Sequence, residues 1–175
     1  MEECHLPPPR MAPTEIITES LIQKAIVQAV QNVCQTMLRN DATLRGQTAE
    51  PPPGGAFQIM GNVGFAGDIN GSVFLCLSDS FAMFATGEIL GMSPGEVEMN
   101  GPDVVKDAIG EITNMTAGGF KNQLCDIGYP CKLTLPTIVR GSNLQVSTVK
   151  GTTRHIFDFA CAGHTLLADI QFKVE

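Results

Sequence analysis

Apolar residues at positions 22, 26, 29, 30, 33 and 37 recur at the spacing of one helical face. They predict an amphipathic helix of about six turns over 16–38, capped by Thr14 and with Glu15 placed to suit the helix dipole. A two-residue period then takes over. Residues 56–66 and 71–77 read as a strand pair joined by a turn over 67–71, where Asn70-Gly71 is a hairpin signal and VFLCL is rich enough in β-formers for a central strand. A second helix is predicted from Ser78 or Asp79 to Leu90, stopped by Gly91. Ser93-Pro94-Gly95 reads as a turn, and Asn100-Gly101-Pro102 opens a third helix, with proline in the first turn where its missing N–H costs nothing. Past Gly128 the pattern predicts strands over 132–140, 144–150, 155–162 and 165–174. The alternation of Phe157, Phe159 and Cys161 puts one sheet face in a core. The order α-ββ-αα-ββββ predicts an α+β fold: an antiparallel (mixed) sheet of about six strands with helices packed on one face. Residues 14–175 form a single domain in this reading. Residues 1–13, with four prolines, are a disordered tail, and 40–55, which contain Pro51-Pro52-Pro53-Gly54-Gly55, are a flexible loop.

Composition narrows the functional classes. The apolar fraction of 43% suits a globular domain, and no apolar run is long enough to cross a bilayer. A formal charge of −7 with 11 basic residues argues against nucleic acid or an anionic membrane as partner. The acidic, proline-rich start does not resemble a secretory signal. The six cysteines lack CxxC spacing and sit largely in apolar runs, so they read as reduced, packed thiols of a cytoplasmic protein.

The most informative stretch is 104–121, VVKDAIGEITNMTAGGFK. As a helix, it puts Val105, Ala108, Ile109, Ile112, Met115 and Gly119 on one side, a stripe wide enough to bury. Asp107, Glu111, Asn114, Gly118 and Lys121 line up on the other. Two acids four residues apart repel by roughly 0.2–0.5 kcal/mol, so that stripe is not arranged for helix stability alone. An exposed amide one turn beyond a carboxylate, with a glycine beside it, suits close approach by another molecule. Taken alone, the pattern Glu111-x2-Asn114 is also what an ordinary solvated helix face presents.

Its surroundings are more specific. The run DAIGEITNMTAGGFKNQL follows a GSVFLCLS strand and a short helix and precedes KLTLPTIVRG, while the first helix ends in Cys34-Gln35-Thr36-Met37-Leu38. This arrangement resembles the CheC/CheX/FliY family of chemotaxis phosphatases, and CheX most among them, from about Glu15 to the C-terminus with the 40–55 excursion left out. The resemblance implies a phosphatase acting on the aspartyl-phosphate of CheY, a response-regulator receiver domain that itself carries the Mg²⁺ and a lysine. The chain would need no cofactor of its own. It implies that the Asn114 carboxamide enters the receiver site and orients the attacking water, being neutral and able both to donate and to accept. It implies that Glu111 pairs with the receiver lysine. Asp107 either shapes the docking surface or offsets the helix dipole. Gly118 allows close approach of the partner or of a neighbouring helix, and Lys121 either meets an acidic receiver surface or is simply solvated. The same resemblance implies a homodimer. The alternative class is a non-catalytic module that docks on a receiver or a flagellar-switch component through the same helix.

Two-site relatives carry a second ExxN on the first helix. Here Glu15 is followed three residues on by Thr18, and Glu19 by Ile22, which leaves one site per chain. Other motifs are weak. Cys161-x2-His164 has no second pair at zinc spacing. His155 and His164 lack a nucleophile elbow, and Gly61-x2-Gly64-x2-Gly67 lies within a hairpin rather than before a helix.

Overall fold

The computed structural model describes residues 16–48, 50 and 56–174. The predicted tail over 1–13, the Thr14 cap, the helix start at Glu15 and the proline run at 51–53 lie outside them. The first helix, α1 (Glu19–Leu38), begins instead at Thr18, whose hydroxyl accepts a bond from the Leu21 N–H at 3.2 Å. It ends at Arg39, which takes a left-handed conformation with φ 52°. Three further helices follow: α2 (Asp79–Leu90), α3 (Pro94–Asn100) and α4 (Pro102–Asp126).

Among the described residues, seven strands, β1 (Ala42–Thr48), β2 (Ile59–Gly67), β3 (Ile69–Leu77), β4 (Cys131–Leu133), β5 (Thr137–Arg140), β6 (Thr153–Cys161) and β7 (His164–Val174), make one antiparallel sheet. Its order is β1-β6-β7-β3-β2-β4, with β5 also paired to β2. The register Val73↔Ile170, Leu75↔Ala168 and Leu77↔Leu166 stacks buried side chains of β3 and β7 beneath the helices. Phe157, Phe159 and Cys161 of β6 share that face and are buried, as their alternation predicts. The α4 helix seats on β2, where Phe65 and Phe120 meet with ring centroids 5.8 Å apart. It is flanked by α1, close enough that a Cβ on Gly119 would lie 3.2 Å from the Ala29 Cβ.

Four local expectations are corrected. First, 42–48 is not part of a flexible loop. It is the edge strand β1, paired to β6 with a register shift between Leu44 and Gly46. Among its residues only Ala42 is buried, so the hydrophobic pattern that marks a strand is nearly absent. Second, Ser93-Pro94-Gly95 does not stop at a turn but starts α3. Ser93 caps it, and the Glu96 carboxylate accepts from the Ser93 N–H at 2.8 Å, completing a capping box.

Third, the predicted strand over 132–140 is broken into β4 and β5. Pro136 has no N–H to give the ladder, and Thr134 bridges the break: its N–H donates to the Gly64 carbonyl and its hydroxyl accepts from the Gly64 N–H, both at 2.9 Å. Fourth, 144–150 pairs with no strand. It crosses the sheet face away from the helices, held by side chains. The Val149 N–H donates to Gln171 Oε1 at 2.8 Å, Gln171 Nε2 donates to the Ser147 carbonyl at 3.1 Å, and Arg154 Nη2 donates to the Val146 carbonyl at 2.9 Å. Beneath it Arg154 grips Asp169 through two bonds of 3.0 and 2.6 Å. Asp169 is 2% exposed. Burial pushes its carboxyl above the ordinary range, against the pull of the guanidinium.

Candidate functional site on helix α4

The α4 helix starts at Gly101, whose φ of 83° favours glycine, with Pro102 in the first turn. It runs 25 residues and is held on several sides, by β2 below, α1 beside it, and α2 and α3 near its start. A long helix gripped in this way presents its remaining stripe with little freedom to move. Ile109, Ile112, Thr113 and Phe120 are buried beneath it.

On the outer stripe Asp107, Glu111 and Asn114 are exposed, while Gly118 and Lys121 are half-buried. A Cβ on Gly118 would meet nothing within 4 Å, so this glycine is not needed for packing within the chain. Gly119 is the one that packs, against Ala29. Met115, expected in the buried stripe, is 39% exposed and stands beside Asn114. The helix is seated on the side of Thr113, Thr116 and Ala117, which rolls Met115 towards solvent. The Glu111 carboxylate and the Asn114 carboxamide make no hydrogen bond to any described residue.

Neither Glu111 nor Asn114 lines the main cavities among the described residues. A cavity of about 470 Å³ lies elsewhere, beside the β6–β7 turn, lined by Phe57, Asp158, His164 and Leu167 among others. A protruding amide and carboxylate with unused hydrogen-bonding capacity can enter a cleft on another molecule, but they do not form a cleft themselves. No group of three or more His, Cys, Asp or Glu able to hold a metal occurs among the described residues.

The weaker motifs have packing roles. Cys161 and His164 face each other across the β6–β7 turn, and the His164 ring packs on Phe81 and Phe84 at 5.5 and 5.7 Å. His155 stacks between Phe157 and Phe172, with Nδ1 3.2 Å from Gln47 Nε2. In α1, the residue three on from Glu19 is the fully buried Ile22, so that turn offers no second exposed amide.

The family model described as chemotaxis phosphatase CheX matches residues 59–160, more than half the chain. The chain belongs to the CheX family. It is 32% identical over 87 residues to the CheY-P phosphatase CheX of Thermotoga maritima, a match covering 49% of this chain and 54% of that protein, so it spans about half the length of this curated relative. A CheC-like superfamily protein from Shewanella sp. PV-4 has the same fold, with a TM-score of 0.77 at 23% identity, covering 89% of this chain and 99% of that one. A chain of the CheX–CheY–BeF3–Mg²⁺ complex from Borrelia burgdorferi superposes with a TM-score of 0.71 at 21% identity, covering 87% of this chain and 97% of that one. The matched 59–160 contain both β2 and all of α4, so the site helix of this CheX-family chain and the strand beneath it lie within the family region.

One contact of the site was not visible in the sequence. Gly61 on β2 and Thr113 on α4 touch although they lie far apart in the sequence, and nothing in the pattern of either segment pairs them.

Proposed function

We propose that this chain is a phosphatase for the aspartyl-phosphate of a CheY-type receiver, with Asn114 orienting the attacking water and Glu111 docking on the receiver's lysine. The observation that carries the reading is the Asn114 carboxamide, exposed and without a hydrogen-bond partner among the described residues, one helical turn from an equally free Glu111 on a helix packed against β2 and α1. The receiver supplies Mg²⁺ and a lysine to stabilise charge on the transferring phosphoryl group. What remains is to hold water in line with the P–O bond. A neutral amide does this without being repelled by phosphate. A carboxylate acting as base there would face the phosphoryl oxygens directly, so Glu111 positions the complex instead. Asp107, Gly118 and Lys121 border the same stripe and form the rim of the docking surface. The protein works in the cytoplasm as a homodimer in this reading.

The direct measurement is phosphate release from phosphorylated receiver in the presence of Mg²⁺. Asn114→Ala should lower the rate about 10²–10³-fold, the usual effect of losing one positioned polar group. Full activity in that variant overturns the assignment. Receiver binding without faster dephosphorylation by the unaltered protein points instead to a docking module.

A further inference from the structure

Gly61 lies in β2 directly beneath the turn of α4 that carries Glu111 and Asn114. A Cβ built on Gly61 would sit 2.0 Å from Thr113 Oγ1 and 2.9 Å from both Thr113 Cβ and Cγ2. Thr113 is fully buried and precedes Asn114 in the chain. Its hydroxyl is already committed, donating to the Ile109 carbonyl at 2.7 Å, so it does not swing away freely. Nor does the strand give way easily, because Gly61 is registered with Leu75 of β3 on one side and Ile138 of β5 on the other. The helix and the sheet are therefore in contact at this point with only a hydrogen atom's worth of side chain between them.

We infer that Gly61 is a positioning residue for the reaction: the missing side chain at 61 sets the height of the Glu111–Asn114 turn above the sheet, and so how far the Asn114 carboxamide reaches into the receiver. The consequence for catalysis rests on the phosphatase reading given above, whereas the structural consequence does not. An alanine at 61 would fall about 1.4 Å short of ordinary van der Waals distance to Thr113 Oγ1 and about 0.5 Å short to Thr113 Cβ, which calls for a shift of about 1 Å between helix and strand. A displacement of that size at a water-orienting group is worth about 10²-fold in rate. Glu111 is carried on the same turn, but a long carboxylate side chain can re-aim to a lysine more readily than a short amide can restore an in-line water. The loss should therefore fall on kcat more than on KM.

The test has a structural and a kinetic arm. In a crystal structure of Gly61→Ala the Asn114 Cα should be displaced from the sheet by about 1 Å; an unmoved Cα overturns the inference whether or not the protein is a phosphatase. With phosphorylated receiver as substrate, Gly61→Ala should lose about 10²-fold in kcat while KM stays within about threefold. Adding Thr113→Ala, which removes Oγ1 and Cγ2 and leaves only the Cβ contact, should recover most of the loss, and Thr113→Ala alone should stay active. Unchanged kcat in a folded Gly61→Ala protein, or a loss that Thr113→Ala does not relieve, overturns the inference. If Gly61→Ala alone does not fold, recovery of a folded, active protein in the double variant is the expected result, and its failure counts against the inference. An unaltered protein that does not accelerate dephosphorylation removes the proposed function but leaves the crystallographic arm standing.

Discussion

Among the described residues the Asn114 carboxamide has no hydrogen-bond partner, in contrast to two other polar side chains of the same helix. Thr113, its neighbour, is bonded to the backbone four residues earlier, and Gln123 is bonded to Gln28 on α1. Asn114→Asp tests charge where Asn114→Ala tests presence: the carboxylate keeps the shape but loses the donor and adds a charge that phosphate repels. Receiver dephosphorylation should fall at least as far as for alanine, by about 10² or more at neutral pH. A second residue-scale expectation concerns His155. Burial holds its imidazole below the ordinary value, partly offset by the nearby Glu19 carboxylate. The folded state therefore prefers neutral His155, and the unfolded chain takes up a proton first as the pH drops. The stability this residue contributes is intact above about pH 6.5 and is lost as pH falls through the lower folded value. Thermal melts followed by circular dichroism between about pH 7.5 and pH 5 should show a declining midpoint, and His155→Phe should flatten that slope.

At the scale of elements, the helices were largely legible because their signals are local. Ser78 before α2, Gly91 after it, and Gly101-Pro102 ahead of α4 act within a turn of where they stand. Strands were legible only where a hydrophobic face declared them. β1 is polar along most of its length, and 144–150 alternates like a strand without pairing as one. What decides between those two segments is the side chains of Arg154 and Gln171, which occupy the backbone groups of the strap, and no local pattern announces that. The Glu111–Asn114 stripe followed from helical spacing alone, whereas its support by Gly61 is a long-range contact. Removing the guanidinium that joins strap and sheet strands Asp169 as a buried, unpaired carboxylate. Arg154→Ala should accordingly lower unfolding free energy by about 3–5 kcal/mol in denaturant titrations. Ser93→Ala, which removes one half of the α3 capping box, should cost about 1 kcal/mol in the same measurement.

On the scale of the whole molecule, the helices share one sheet face and the 144–150 strap covers part of the other, so an added strand could pair only at the margins of the sheet. The proposed homodimer predicts twice the chain mass in light scattering at micromolar concentration, and a monomer mass would remove it. The two margins are not equivalent. One ends in β4 and β5, three and four residues long and separated by Thr134, Leu135, which is 87% exposed, and Pro136. Short, interrupted edges of this kind discourage an incoming strand. The opposite margin is β1, seven residues long and bonded on one side to β6. A sheet that can be extended from one rim alone has a built-in stopping rule. Two copies joined rim to rim would each present only their blunted side to newcomers, so growth would end at the pair instead of running on into a fibre.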